Sequence, residues 1–121
     1  MEDVKFEELF GDDTEAKKVA SGEKIFEKGQ PGDVMYVIKS GSADVKVEDK
    51  VVETLTQGAI VGEMALVDHG ERSADVVAKE DCEVVPVDEE LFVQLVSKAP
   101  FFALKVMRSL VVRLRKTTQK V

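Results

Sequence analysis

Residues 61–78 read "VGEMALVDHGERSADVVA", and their order decides how the chain is to be understood. Gly62 and Glu63 make a turn, a short apolar run follows, "DHGE" reads as a polar hairpin, and Arg72 returns beside Ser73 before a Val-rich stretch. Gly62 has no Cβ, so backbone there can approach a ligand closely. "EMALV" suits a short helix, whose first N–H groups have no partner within the helix and attract anions. Arg72 adds a planar fork of donors able to grip two phosphate oxygens. Glu63 beside it would accept a hydrogen bond from a sugar hydroxyl. The plainer reading is a cross-hairpin ion pair of Glu63 with Arg72 and a turn at Gly62.

Outward from this stretch the chain is punctuated closely. Val4, Phe6, Leu9 and Phe10 recur at roughly helical spacing over residues 2–10, and Gly11 with the acidic pair at 12 and 13 stops the pattern. From Lys17 to about Val85, short runs rich in Val, Ile and Tyr alternate with "SG", "KGQPGD", "SGS", "EDK", "QG" and "DHGE", the signature of an antiparallel β domain. In "GQPGD", Pro31 and Gly32 suit the second and third places of a type II turn, which predicts positive φ at Gly32. Along "VMYVIKSGSADVKV", Met35 and Val37, extended by Lys39, share one face while Val34, Tyr36 and Ile38 share the other. Two partly apolar faces fit a closed barrel or a two-sheet jelly roll.

The period then changes from two to 3.6. "VDEELFVQLVSKA" predicts a helix capped by Asp88, with Glu89 and Glu90 in the first turn. Pro100 fits the first turn of a last helix running to the C-terminus. On it Leu104, Met107, Val111, Leu114, Thr118 and Val121 are spaced three and four apart, the pattern of a seam. Phe102, Val106 and Leu110 offer a second apolar edge. The seam serves either self-association or packing on the barrel, and two edges point to two neighbours. The expected fold is mainly β with flanking helices: an antiparallel β-barrel or double-stranded β-helix (jelly roll) with an N-terminal helix, a short helix after Gly62 and two C-terminal helices. One domain over 1–121 is expected, helical over 1–16, β-roll over 17–87 and helical over 88–121.

Counting excludes several chemistries. Among 121 residues Cys82 is the only cysteine and His69 the only histidine, so no disulfide framework, zinc cage or Cys–His pair can be built within the chain. A histidine-rich metal site of the cupin kind is out of reach for the same reason, and His69 reads as a solvated turn residue. The acidic pairs at 12–13 and 89–90 fall in a loop and a helix start, so no catalytic constellation is evident and no enzyme is expected. The net charge of −7 opposes a phosphate backbone, so direct nucleic-acid binding is not expected, and the late basic cluster reads as a solvated helix face. No run of 18 apolar residues occurs and the N-terminus is acidic, which points to a cytoplasmic protein without membrane contact.

"IFEKGQPGDVMYVIKSGSADV" followed by "GAIVGEMALVDHGERSADVVA" resembles the cyclic nucleotide-binding domain, particularly that of the bacterial catabolite activator family, and the resemblance extends over nearly the whole chain. It implies a sensor for cyclic AMP or cyclic GMP, with no metal or other cofactor. Glu63 would bind the ribose 2′-hydroxyl and Arg72 the exocyclic oxygens of the cyclic phosphate. Ser73 would add a hydroxyl and an N–H, Met64 and Ala65 their backbone amides, and Gly62 the room to approach. In the activator family adjacent Thr and Ser residues of the last helix, one from each subunit, contact the adenine amino group; Thr117 and Thr118 hold that place, and the seam count independently puts Thr118 on the helix face that would pair. The partners implied are the nucleotide, a second copy through the C-terminal helix, and a protein effector in trans. Asp75 departs from the family pattern, on the strand face of Ser73, where a carboxylate near a phosphate would cost affinity. The activators also continue into a DNA-binding domain, whereas this chain stops at Val121. Both departures motivate an alternative: a related module that binds no nucleotide and acts in dimerisation or partner binding.

Overall fold

The structure is a computed structural model; it describes residue 10, residues 15–68 and residues 70–119, the side chains of 67, 68 and 113–119 excepted. The N-terminal helix expected over 2–10, His69, and the side chains of Thr117 and Thr118 lie outside the described residues. Among the described residues eight strands, β1 Lys17–Val19, β2 Lys24–Phe26, β3 Met35–Ser40, β4 Ala43–Val47, β5 Lys50–Leu55, β6 Ile60–Val61, β7 Asp75–Ala78 and β8 Cys82–Val87, are joined by helices α1 Glu63–Asp68, α2 Glu89–Lys98 and α3 Pro100–Gln119. The strands form two antiparallel four-stranded sheets, ordered β1-β8-β3-β6 and β2-β7-β4-β5.

No closed barrel forms among the described residues, which corrects that half of the expectation. The reason is length: β1, β2 and β6, at three of the four sheet edges, have only two or three residues and cannot carry a ladder from one sheet to the other.

Alternation along β3 explains the layering. Ile38, with Val61 and Val84, faces Ile25, Phe26, Val45, Leu55 and Val76 of the second sheet. Met35 and Val37 point the other way, into a cluster with Leu66, Leu95, Phe102 and Val106 of the helices. The first sheet is therefore a middle layer, apolar on both sides. Met35 is fully buried, and cutting it to Ala would cost about 2–5 kcal/mol.

Local chemistry sets the helices. Asp88 accepts a hydrogen bond from the Leu91 N–H at 2.8 Å, capping α2 as its place before two glutamates predicts. Pro100 is the first residue of α3. The Phe102, Val106 and Leu110 edge packs on the core, whereas Leu104, Met107 and Val111 stay exposed. None of the described helices is long and apolar enough to cross a membrane.

The turn before β3 differs from the expectation. Gln30 donates to the Glu27 carbonyl at 3.1 Å, and Gly29, at φ 89°, takes the left-handed place that was assigned to Gly32. The turn starts three residues earlier because Gln30 and Pro31 are drawn into pairing with the segment that carries Arg72, just ahead of β7. Gly32 serves another purpose.

Candidate functional site

The backbone of Arg72 is fixed before its side chain is considered. Its N–H donates to the Gln30 carbonyl at 2.8 Å, its carbonyl accepts from Gly29 N–H at 2.9 Å, and Pro31 bridges Glu71. This short ladder sets strand parity: Arg72, Ala74, Val76 and Ala78 are buried, while Ser73 is exposed and Asp75 and Val77 half-buried. Arg72 thus projects between the sheets.

There the guanidinium lies on aromatic rings, its Cζ 4.2 Å from the Phe26 centroid and 5.8 Å from that of Tyr36. Two glycines make room for it. A Cβ on Gly32 would lie 2.5 Å from Cζ, and one on Gly62 would lie 2.7 Å from Nη1. Nη1 donates to the Gly62 carbonyl at 3.4 Å, a long contact. The ion pairs of Lys24 with Glu27 and Asp75 do not involve Arg72, and among the described residues no carboxylate is within ion-pair distance of it. The cross-hairpin ion pair is therefore not what this arginine forms.

Only 7% of Arg72 is exposed, and a guanidinium carries five N–H donors. A buried cation whose side chain has one long hydrogen bond among the described residues is costly unless an anion completes it. Burial pulls its pKa below the ordinary arginine value, while the fields of Tyr36 and Asp33 act in the opposite direction. It remains a cation at any physiological pH.

The other expected residues gather round it unevenly. Gly62, at φ 80°, turns the chain from β6 into α1, and Glu63 begins that helix fully buried. Ala65 is buried, Met64 exposed, and Ser73 exposed at the mouth of β7. Asp75 shares the parity of Ser73, as period two requires, and that parity is opposite to Arg72. Its carboxylate accepts from Lys28 N–H at 2.8 Å and lies 3.9 Å from Lys24 Nζ. The departure at Asp75 is thus answered on the outer face, by a turn it helps to hold. α3 packs against α1 and runs through positions 117 and 118.

Sequence reading missed Phe26, Tyr36 and the role of Gly32. The available signal was the pair Ile25–Phe26, two adjacent apolar residues where alternation allows one to face inward. A separate cavity of about 510 Å³, with Lys18, Glu23, Ser40 and Glu83 in its wall, shares no lining residue with this site. Among the described residues no cluster of His, Cys, Asp or Glu could hold a metal ion.

Comparison with known proteins leads to the same place. The family model described as the cyclic nucleotide-binding domain matches residues 16–99. The cAMP-activated global transcriptional regulator CRP of Salmonella typhimurium is 32% identical over 110 residues, 86% of this chain and 52% of that protein. A cAMP-dependent protein kinase regulatory subunit of Eremothecium gossypii is 31% identical over 87 residues, 72% of this chain and 19% of that one. The solved catabolite activator protein of Thermus thermophilus superposes with a TM-score of 0.74 at 30% identity, covering 88% of this chain and 52% of that chain. This chain spans about half the length of these bacterial relatives and a fifth of the fungal one. The family model's match over residues 16–99, on a two-sheet fold that buries Arg72 with no carboxylate in ion-pair distance among the described residues, makes this chain a member of the cyclic nucleotide-binding domain family.

Proposed function

We propose that this chain is a non-enzymatic regulatory domain that binds cyclic AMP, or cyclic GMP, between its sheets and answers by moving the C-terminal helix. The observation that carries the proposal is Arg72: buried, pre-positioned, and without a carboxylate partner among the described residues. A cyclic phosphodiester brings one negative charge and two exocyclic oxygens, which match a planar fork of donors. In this reading Glu63 takes the ribose 2′-hydroxyl, Ser73 and the amides of Met64 and Ala65 complete the phosphate shell, and Gly62 leaves space for it.

The output runs through α3. Because α1 packs on α3, filling the site changes what the helix rests on, and unequal affinity for two helix positions is what lets a ligand shift them. Thr117 and Thr118 would supply part of that inequality by contacting the base. Leu104, Met107 and Val111, 45–52% exposed, form the seam for a second copy. A protein partner in trans would receive the signal, in a cytoplasmic setting.

Side-by-side titration with cyclic AMP and cyclic GMP, with sedimentation of the free and saturated protein, tests this. Saturable binding with a ligand-dependent change in α3 or in assembly is expected. Absence of binding to either nucleotide would leave only a partner-binding module.

A further inference from the structure

β2 carries an irregularity whose effect reaches the site. Lys24 stands opposite Val77 and Phe26 opposite Val76, so two steps on β2 match one on β7. Strict alternation would turn Phe26 outward with Lys24; the bulge instead buries both Ile25 and Phe26. Phe26 then lies on the parity of Val76, inside the sandwich, with the Arg72 Cζ 4.2 Å above its ring. Tyr36 stacks on the same ring, centroids 6.1 Å apart and planes 30° apart. A Cβ on Gly62 would approach Phe26 Cε2 to 3.2 Å, so glycine, ring and guanidinium fill one volume.

We propose that Phe26 is a positioning residue of the anion site: its ring face, delivered by the β2 bulge, holds the Arg72 guanidinium in its working place before any ligand arrives. A long, flexible side chain loses rotamer freedom when it binds, and ordering it beforehand removes that cost from the binding step. A flat apolar ring can do this without competing with the ligand. A carboxylate would hold Arg72 just as firmly, but it would occupy the donors meant for phosphate; the ring's negative face attracts the cation and leaves the N–H edges open.

The geometry can be tested without nucleotide, and the binding consequence rests on the function proposed above. In the ligand-free protein, nuclear magnetic resonance should show the Arg72 Nε–H proton shifted upfield by the ring, with cross-relaxation to Phe26 ring protons. F26L should return that proton to its ordinary position, and F26Y should keep the shift. Cyclic AMP affinity should fall about five- to thirty-fold in F26L and be kept in F26Y; the ring-shifted Arg72 Nε–H proton of the ligand-free protein is the readout that core filling alone would not produce. An unshifted proton without cross-relaxation in the unsubstituted protein overturns the proposal, and needs no variant to fold. Unchanged affinity in F26L, with binding intact, also overturns it. If the shift is present but neither nucleotide binds, the ring holds Arg72 as inferred and the cyclic nucleotide reading is what fails.

Discussion

Gly32 and Arg72 share one volume: a methyl group on the glycine would lie 2.5 Å from both Cζ and Nε of the arginine. They are forty positions apart, and the Gln30–Arg72 ladder brings them together. Gly32 does not need left-handed backbone, so alanine fits its conformation and the collision falls on the movable end of Arg72. G32A should therefore leave the melting temperature nearly unchanged and weaken cyclic AMP binding about ten-fold or more. Gly62 offers the contrast, because alanine there meets Arg72 Nη1 at 2.7 Å and also inherits a φ of 80°. G62A should lose binding and about 1–2 kcal/mol of stability as well. Thermal melts alongside calorimetry separate the two variants.

Arg72 is costly to the fold taken by itself. Burial disfavours its charge, and an unbranched apolar side chain of similar length removes that cost. R72M should melt at the same temperature as the parent, or higher, while binding is abolished. A marked fall in melting temperature would mean that Arg72 holds the fold together rather than waiting for a ligand.

Cys82 gives a pH test independent of the site. Burial, helped by the field of Asp81, pushes its thiol pKa up. A raised pKa in the folded state means that the unfolded chain ionises first as pH rises. The stabilisation is complete below the ordinary thiol range near 8.5 and fades above it. The thiol should resist maleimide in the native protein and react on unfolding. The part of the alkaline loss of stability due to Cys82 should vanish in C82A, and an unchanged pH slope in that variant would refute the assignment.

The residues around Arg72 also mark what sequence can and cannot convey. Asp88, Pro100 and the turn at Gly62 were legible because each acts within a few residues of itself, through a cap, a fixed φ or a turn. The two apolar faces of β3 were legible as a pattern, and their meaning, a sheet covered on both sides, needed only the helices to be placed. Phe26 was not legible: a bulge shifts parity by one, and period-two reasoning then assigns the wrong face. Gly32 was misread because a glycine's sequence neighbours announce turns, whereas its real neighbour, Arg72, lies forty positions away. Asp75 showed the converse. Its parity with Ser73 was right, but only the structure showed that Lys28 engages it on the side away from Arg72.

The most direct measurement of the central claim is calorimetric titration of cyclic AMP into the unsubstituted protein and into R72A. A charge-assisted contact of this kind contributes about 1.5–3 kcal/mol, so saturable binding that weakens about ten- to hundred-fold in a folded R72A is expected. Equal affinity in the two proteins would contradict it.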